Sequence, residues 1–255
     1  MNKNFLVTVL SASLLSGSVF AGTMDSLGME PDVGWVVAFS AGPAWGGNGT
    51  AQTLYLTPTI KKTYEPDSGN NVFFDGEFFA GVQGDLTLTT QGQLGLAIAG
   101  ASSATISGTI FDSAAPQFAN HTYNYKLQHA HIALKTKLLV DAGHWVVPWV
   151  SGSIGVGYNR ASAFNNTIIV DGAVVNPDFS AHSQAGFTYT AGLGVQKALN
   201  EHWQIGVGYE FADWGKSGFN RASTQTINNG ISQNHFYTNA VLFNFTYLAH
   251  GHDYE

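Results

Sequence analysis

The stretch that decides the fold is Trp203–Phe211, W-Q-I-G-V-G-Y-E-F. In an extended strand Trp203, Ile205, Val207, Tyr209 and Phe211 share one face, while Gln204, Gly206, Gly208 and Glu210 share the other, because side chains alternate with a period of two. A helix would scatter the same residues around its circumference. Working outward, Pro148–Tyr158 repeats the pattern, with Pro148, Val150, Ile154, Val156 and Tyr158 opposite Ser151, Ser153, Gly155, Gly157 and Asn159. Gln91–Gly100 does so again, with Leu94, Leu96 and Ile98 opposite Gln91, Gln93, Gly95 and Ala97. Beyond residue 21, no segment sustains a helical period.

Eight such runs can be placed, at 33–46, 72–84, 90–112, 123–140, 145–160, 185–199, 203–214 and 235–248. The links between them alternate in length. Gly84–Thr89, Asp141–His144 and Asn200–His202 are tight; Gly47–Asn71, Ser113–Thr122, Ala161–Gln184 and Gly215–Asn234 are long and polar. Thr53–Tyr64 (TLYLTPTIKKTY) also alternates and would make nine strands. Pro58 and the Lys61–Lys62 pair sit badly on a lipid face, and bacterial barrels carry an even number. It is therefore expected in the first long loop, as a hairpin extension above the membrane.

Composition narrows the class. The chain has 255 residues, 44% hydrophobic but only 11% charged, with 30 glycines, 13% aromatics and no cysteine. Ordinary soluble domains carry about 25% charged residues. No apolar run is long enough for a spanning helix, and disorder requires few aromatics and high charge. Without cysteine there is no disulfide and no thiolate site. Ten Lys+Arg against 17 Asp+Glu argue against nucleic acid, which needs a basic face. Together with the alternating runs, these features predict an all-β fold. It is an eight-stranded antiparallel up-and-down transmembrane β-barrel with short periplasmic turns and long extracellular loops.

Aromatic spacing fits that reading. Trp35 and Trp45 are ten residues apart with the same facing, as are Tyr237 and Tyr247. Ten strand residues cover ~33 Å along the strand and ~25 Å vertically when tilted, the height of the apolar band between two aromatic girdles. Trp145 and Trp203 fall beside expected periplasmic turns, and Trp214 is expected at the outer rim of the girdle.

Residues 1–21 have the pattern of a cleaved export signal. Lys3 supplies the basic start, Phe5–Leu15 a short apolar stretch, and Val19 and Ala21 the small residues before a cut at Gly22. Residues 22–255 then form the outer-membrane β-barrel domain.

Three segments carry a resemblance to a known family: PWVSGSIGVGY at 148–158, FTYTAGLGVQKALNEHWQIGVGYEFADWG at 187–215 and VLFNFTY at 241–247. Together they resemble the opacity-protein-like family of bacterial outer-membrane β-barrels, similar in architecture to the membrane domain of outer-membrane protein A. The resemblance is specific over 145–247 and rests on spacing over 33–140. It implies an eight-stranded barrel in the outer membrane of a Gram-negative cell. Such barrels often end in a Phe that the barrel-assembly machinery reads; this chain departs by continuing past Tyr247 as LAHGHDYE.

Parity places Asp75, Glu77, His129, His131, Lys135, Lys137 and Glu210 inside the barrel, with Phe74, Phe78, Ala130, Ile132, Leu134, Leu138, Tyr209 and Phe211 outside. Buried charges need partners, so these groups are expected to form a lumenal polar network. A lumen of this size is filled by side chains, which favours an ion-paired plug over a conduit for small solutes or ions. His129-x-His131 has spacing a strand-borne zinc site can use, yet two histidines among lysines fit a hydrogen-bonded network better, and no metal or cofactor is expected. His250-x-His252 in the tail is a weaker pair. His121, His182 and His235, with Asp112, Asp178, Asp213 and Ser113 nearby, are the ingredients of a rim hydrolase or acyltransferase, but no motif of defined spacing joins them, so no catalytic residue is assigned. Gly152–Gly157 (GSIGVG) lacks the following helix of a dinucleotide site, and its glycines fit close packing in a small barrel.

The expected role is that of a non-enzymatic cell-surface protein, giving envelope structure and loop-mediated contact. Its partners would be the outer-membrane bilayer, the assembly machinery and a host or extracellular ligand at the long loops.

Overall fold

The computed structural model describes residues 33–112, 118–173 and 176–249; the expected export signal, Ser113 and the His250–His252 pair lie outside the described residues. The described chain begins with β1 (Val33–Gly47), β2 (Gln52–Tyr55), β3 (Lys61–Pro66), β4 (Asn70–Thr87) and β5 (Thr90–Asp112). It continues with β6 (Ala119–Val140), β7 (Val147–Ile168), β8 (Phe179–Ser180) and β9 (His182–Ala198). The last strands are β10 (Trp203–Asp213), β11 (Ser217–Gly218), β12 (Asn220–Ala222), β13 (Ser232–Gln233) and β14 (Tyr237–Ala249).

Eight strands close into one antiparallel ring in the order β1-β4-β5-β6-β7-β9-β10-β14. β14 pairs back onto β1 from Trp35–Ala249 to Gly46–Thr238, so this part of the wall has no open edge. The structure is thus the eight-stranded barrel read from the alternation. The third run matches β5 residue for residue. The Thr53–Tyr64 segment is the β2–β3 hairpin, which stays outside the ring and pairs with the upper end of β5 from Lys62–Asp112 to Pro66–Gly108.

The long strands β5, β6 and β7 climb well beyond the belt at the loop end. β6 starts at Ala119, β7 runs to Ile168 and β9 begins at His182, so much of what reads as loop in the sequence is strand. The ladder continues because its inward side has something to bury. Two bulges bring those residues in. Between Ala101 and Ala104 the β5–β6 register shifts, and the inward set changes from Gln93, Ala97 and Ala99 to Ala104, Ile106 and Ile110. On β7 the register shifts beside Ala163, whose φ of 52° is left-handed, and Phe164 turns inward. A bulge adds one residue and so reverses facing beyond it. The left-handed alanine costs ~1–2 kcal/mol, of the order that burying a Phe side chain returns.

The barrel is apolar on the outside. Trp35, Phe39, Phe78, Leu96, Ile98, Ile132, Ile154, Leu193 and Phe243 point away from the lumen, with Trp35 68% and Phe243 63% exposed. So large a continuous apolar surface is the lipid face of a membrane barrel. Toward the short turns this band carries Trp35, Trp145 and Trp203; toward the loops it carries Phe74, Tyr158, Phe187, Phe211 and Tyr237. Strand ends beyond that second ring stand outside the membrane.

Candidate functional site

The polar lumen is built from inward positions of β4, β6, β7, β9 and β10. Lys135 Nζ donates to Glu77 Oε1 at 2.6 Å and to Glu210 Oε2 at 2.9 Å, all three side chains being about nine-tenths buried. Nearer the short turns, Lys137 Nζ donates to Gln196 Oε1 at 2.6 Å, and Gln196 Nε2 donates to Gln204 Oε1 at 2.5 Å. Lys137 also lies over the Trp149 ring, 4.5 Å from its centroid. Trp149 fits inside because β9 and β10 present glycine to it: a Cβ at Gly194 or Gly208 would come within 2.5 or 2.4 Å of the ring. Beside this group a cavity of about 30 Å³ remains, the room of one water.

Nearer the loops the two histidines bond to each other rather than presenting an open ligand pair. His129 Nε2 lies 2.8 Å from His131 Nδ1, and His129 Nδ1 lies 2.7 Å from Asn159 Oδ1. The amide oxygen of Asn159 can only accept, so His129 donates from Nδ1 and accepts from His131. Asn159 Nδ2 then donates to the carbonyl oxygens of Trp214 at 2.7 Å and Lys216 at 2.8 Å. Asp75, also buried, accepts from the Gly76 amide at 2.8 Å. The lumenal set therefore divides. Glu77, Lys135 and Glu210 form an ion-paired triad, Lys137 an amide-bonded arm, and His129 and His131 a relay to the loop that follows β10.

Of the expected girdle residues, Trp35, Trp145, Trp203 and Tyr237 are exposed on the outer wall, and Trp45 and Tyr247 are half-buried. Trp214 differs. It is 1% exposed and lies inside the barrel, stacked on His129 with ring centroids 4.3 Å apart, and against Phe73 and Phe236. Trp214 shares the parity of Glu210 and Ala212, and its amide still bonds to Phe236 O at 3.0 Å, so the alternation of β10 itself carries the ring inward and the outer-rim position expected for Trp214 gives way to a lumenal one.

Trp214 begins an aromatic plug. Phe219, Ala222, Ile231 and Phe236 from the last long loop, Phe179 from the third and Leu56 from the first pack with the wall residues Phe73, Ile106, Ile110, Tyr123, Tyr125, Leu127 and Phe164. Loop joins loop through β8–β12 pairing and through Thr226 N donating to Leu56 O at 2.9 Å. The phenols of this layer stand outside the membrane, and burial raises all of them, Tyr64 to about 12 and Tyr123 and Tyr125 higher. Nothing in the alternating pattern signals the packing of these loops on one another, and the aromatics of 214–236 are no denser than in the chain as a whole.

At the outer rim, the structure joins Asp213 and His235 of the loop acid–base residues. Asp213 Oδ2 is 2.6 Å from His235 Nδ1; the aspartate side chain is 3% exposed and the histidine 58%. Asp213 Oδ1 accepts from the Gly215 amide at 2.8 Å. The buried carboxylate fixes the imidazole with Nε2 outward. Elsewhere His121 is buried, His182 is half-buried, Asp112 pairs with Lys62 at 3.1 Å, and Asp178 accepts from Asn166 at 2.7 Å. Among the described residues, no hydroxyl is hydrogen-bonded to His235.

No family model matches the chain, and no curated protein sequence matches it. Among solved structures it is similar to neisserial surface protein A, at 12% identity over 84% of this chain and 96% of that one, with a TM-score of 0.43. It is similar to the outer-membrane protease OmpT of Escherichia coli at 8% identity, over 88% and 99% of the two chains, with a TM-score of 0.46. Its likeness to the outer-membrane protein OprG of Pseudomonas aeruginosa has 12% identity, 86% and 98% coverage and a TM-score of 0.42.

Proposed function

We propose that this protein is an integral outer-membrane barrel of the cell surface, with neither a conducting lumen nor an active site, whose role is structural and recognitive. The observation that carries this reading is the closed outer mouth. Three loops and three extended strands bury Phe179, Trp214, Phe219, Ile231 and Phe236 in one apolar layer above the ion-paired lumen. A solute would have to dismantle both layers. What remains for contact is the outer face of the loops, held rigid by that core, which suits recognition of a host or extracellular ligand. The barrel's other partners are the bilayer and the machinery that assembles it.

The test is single-channel recording of the refolded protein in a planar bilayer. A closed trace is expected, from protein whose unboiled gel band shifts on heating. Steady, salt-dependent steps that change when Lys135 or Glu210 is replaced would overturn the reading in favour of a narrow channel.

A further inference from the structure

The outer rim holds a groove of about 630 Å³ between the first and last long loops. Its lining runs from Gly47 through Gly49, Thr50 and Gln52 to Ser232–Tyr237. Two features of this lining point to one kind of ligand.

The first is its chemistry. Among the described residues, no Lys, Arg, Asp or Glu lines the groove; its polar groups are hydroxyls, amides and one imidazole. Thr50, Ser232, Asn234, His235 and Tyr237 are exposed there. The His235 and Tyr237 rings are parallel, 5° apart with centroids at 5.5 Å, and both are exposed at the groove. A phosphate or sulfate would find no lysine or arginine among these residues, and a basic peptide no carboxylate. A neutral sugar presents what it complements: vicinal hydroxyls for amides and hydroxyls, and an apolar C–H face for a ring.

The second is that the groove is preformed. Gln52 bridges the two loops, donating from Nε2 to Ser232 O at 2.6 Å and accepting from Ser232 N at 3.1 Å. Gln233 donates to Asn48 O at 3.2 Å and to the Tyr125 hydroxyl at 3.3 Å. Asp213 holds His235 from behind, which leaves Nε2 directed outward. Groups fixed in this way lose little freedom on binding.

We propose that this groove is a binding site for a neutral saccharide, with the His235–Tyr237 rings as its stacking platform and His235 Nε2, Thr50, Ser232 and Asn234 as its hydrogen-bonding groups. The proposal rests on the cell-surface reading above and names the ligand class of that surface. Its position also bears on the source of the sugar. Tyr237 stacks on Phe211, with centroids 5.7 Å apart, and Phe211 lies 6.3 Å from Tyr189, so the platform is the top of the aromatic girdle. A sugar bound there is within reach both of free glycans and of glycolipid headgroups in the same leaflet.

The test uses the full folded protein in two arms. In the first, detergent-solubilised protein is applied to an array of neutral and anionic glycans. In the second, the His235 and Tyr237 ring signals are followed by NMR in nanodiscs with and without a neutral monohexosyl glycolipid. Retention of neutral glycans identifies a free-glycan site; ring shifts in the glycolipid nanodiscs alone identify a membrane source. In either case His235→Ala and Tyr237→Leu are expected to weaken binding about tenfold, equivalent to ~1.4 kcal/mol. Tyr237→Leu keeps an apolar girdle residue and covers the case in which His235→Ala, by stranding Asp213, impairs folding. Silence in both arms, preference for anionic glycans, or unchanged binding by the folded variants would overturn the proposal. A heat-shifting gel band and a closed conductance trace test the cell-surface reading separately, so the two can fail independently.

Discussion

Asn159 on β7 donates its side-chain amide to the carbonyl oxygen of Trp214, 2.7 Å away at the start of the last long loop. The same amide reaches Lys216 O, and its oxygen accepts from His129. One buried side chain therefore ties the plug to the wall, and Trp214 stacks on the same His129 from above.

Replacing Asn159 with Leu should release that loop. A buried carbonyl, that of Trp214, would lose its donor at ~1–3 kcal/mol, and the partly buried carbonyl of Lys216 would lose one at a smaller cost. Limited trypsinolysis of folded protein should then cut at Lys216 and Arg221 far faster than in the parent, with the ring intact by heat-shift on gels. Equal protection of parent and variant would show that the aromatic packing holds the loop without the amide.

Lys135 sits between Glu77 and Glu210, so its removal leaves two buried carboxylates facing each other. Lys135→Met should cost about 3–5 kcal/mol, read as a fall in urea midpoint in detergent or bilayer. The triple variant that also carries Glu77→Gln and Glu210→Gln should recover most of that loss, because the penalty lies in stranded charge.

The plug should be alkali-sensitive. Tyr64, Tyr123 and Tyr125 have phenols raised by burial, so the folded state holds their protons where an unfolded chain releases them. A raised folded value gives stability that is complete below the ordinary tyrosine value near 10 and is lost as pH rises through the folded value. Thermal unfolding should therefore fall in temperature from about pH 10 upward. In an ultraviolet titration, these three tyrosines should ionise last, together with unfolding. A Tyr64→Phe variant should lessen the decline.

How much of this was legible follows facing. Where a strand keeps its pairing, parity is enough. Lys135, Lys137, His129 and His131 share the inner face of β6 because no bulge interrupts that strand on its own side, and the Glu77–Lys135–Glu210 triad follows from their need for partners. Parity fails at Ala163 and at Ser102–Ser103. One inserted residue there turns Phe164, Ile106 and Ile110 inward, and neither Ala nor Ser announces it. Trp214 was misleading for the opposite reason. A tryptophan at a strand end suits a girdle, but Trp214 shares the parity of Glu210 and Ala212, and the unbroken alternation already turned it inward.

By itself, then, the amino-acid order determined a ring of eight strands, its apolar belt and its charged lining, because alternation is a local property that each strand carries whole. Tertiary structure alone decided that the outer mouth is shut and that Asp213 stands behind His235. Those contacts join residues from separate loops or from opposite ends of one long loop, and their geometry depends on bulges, turns and packing that no single segment encodes.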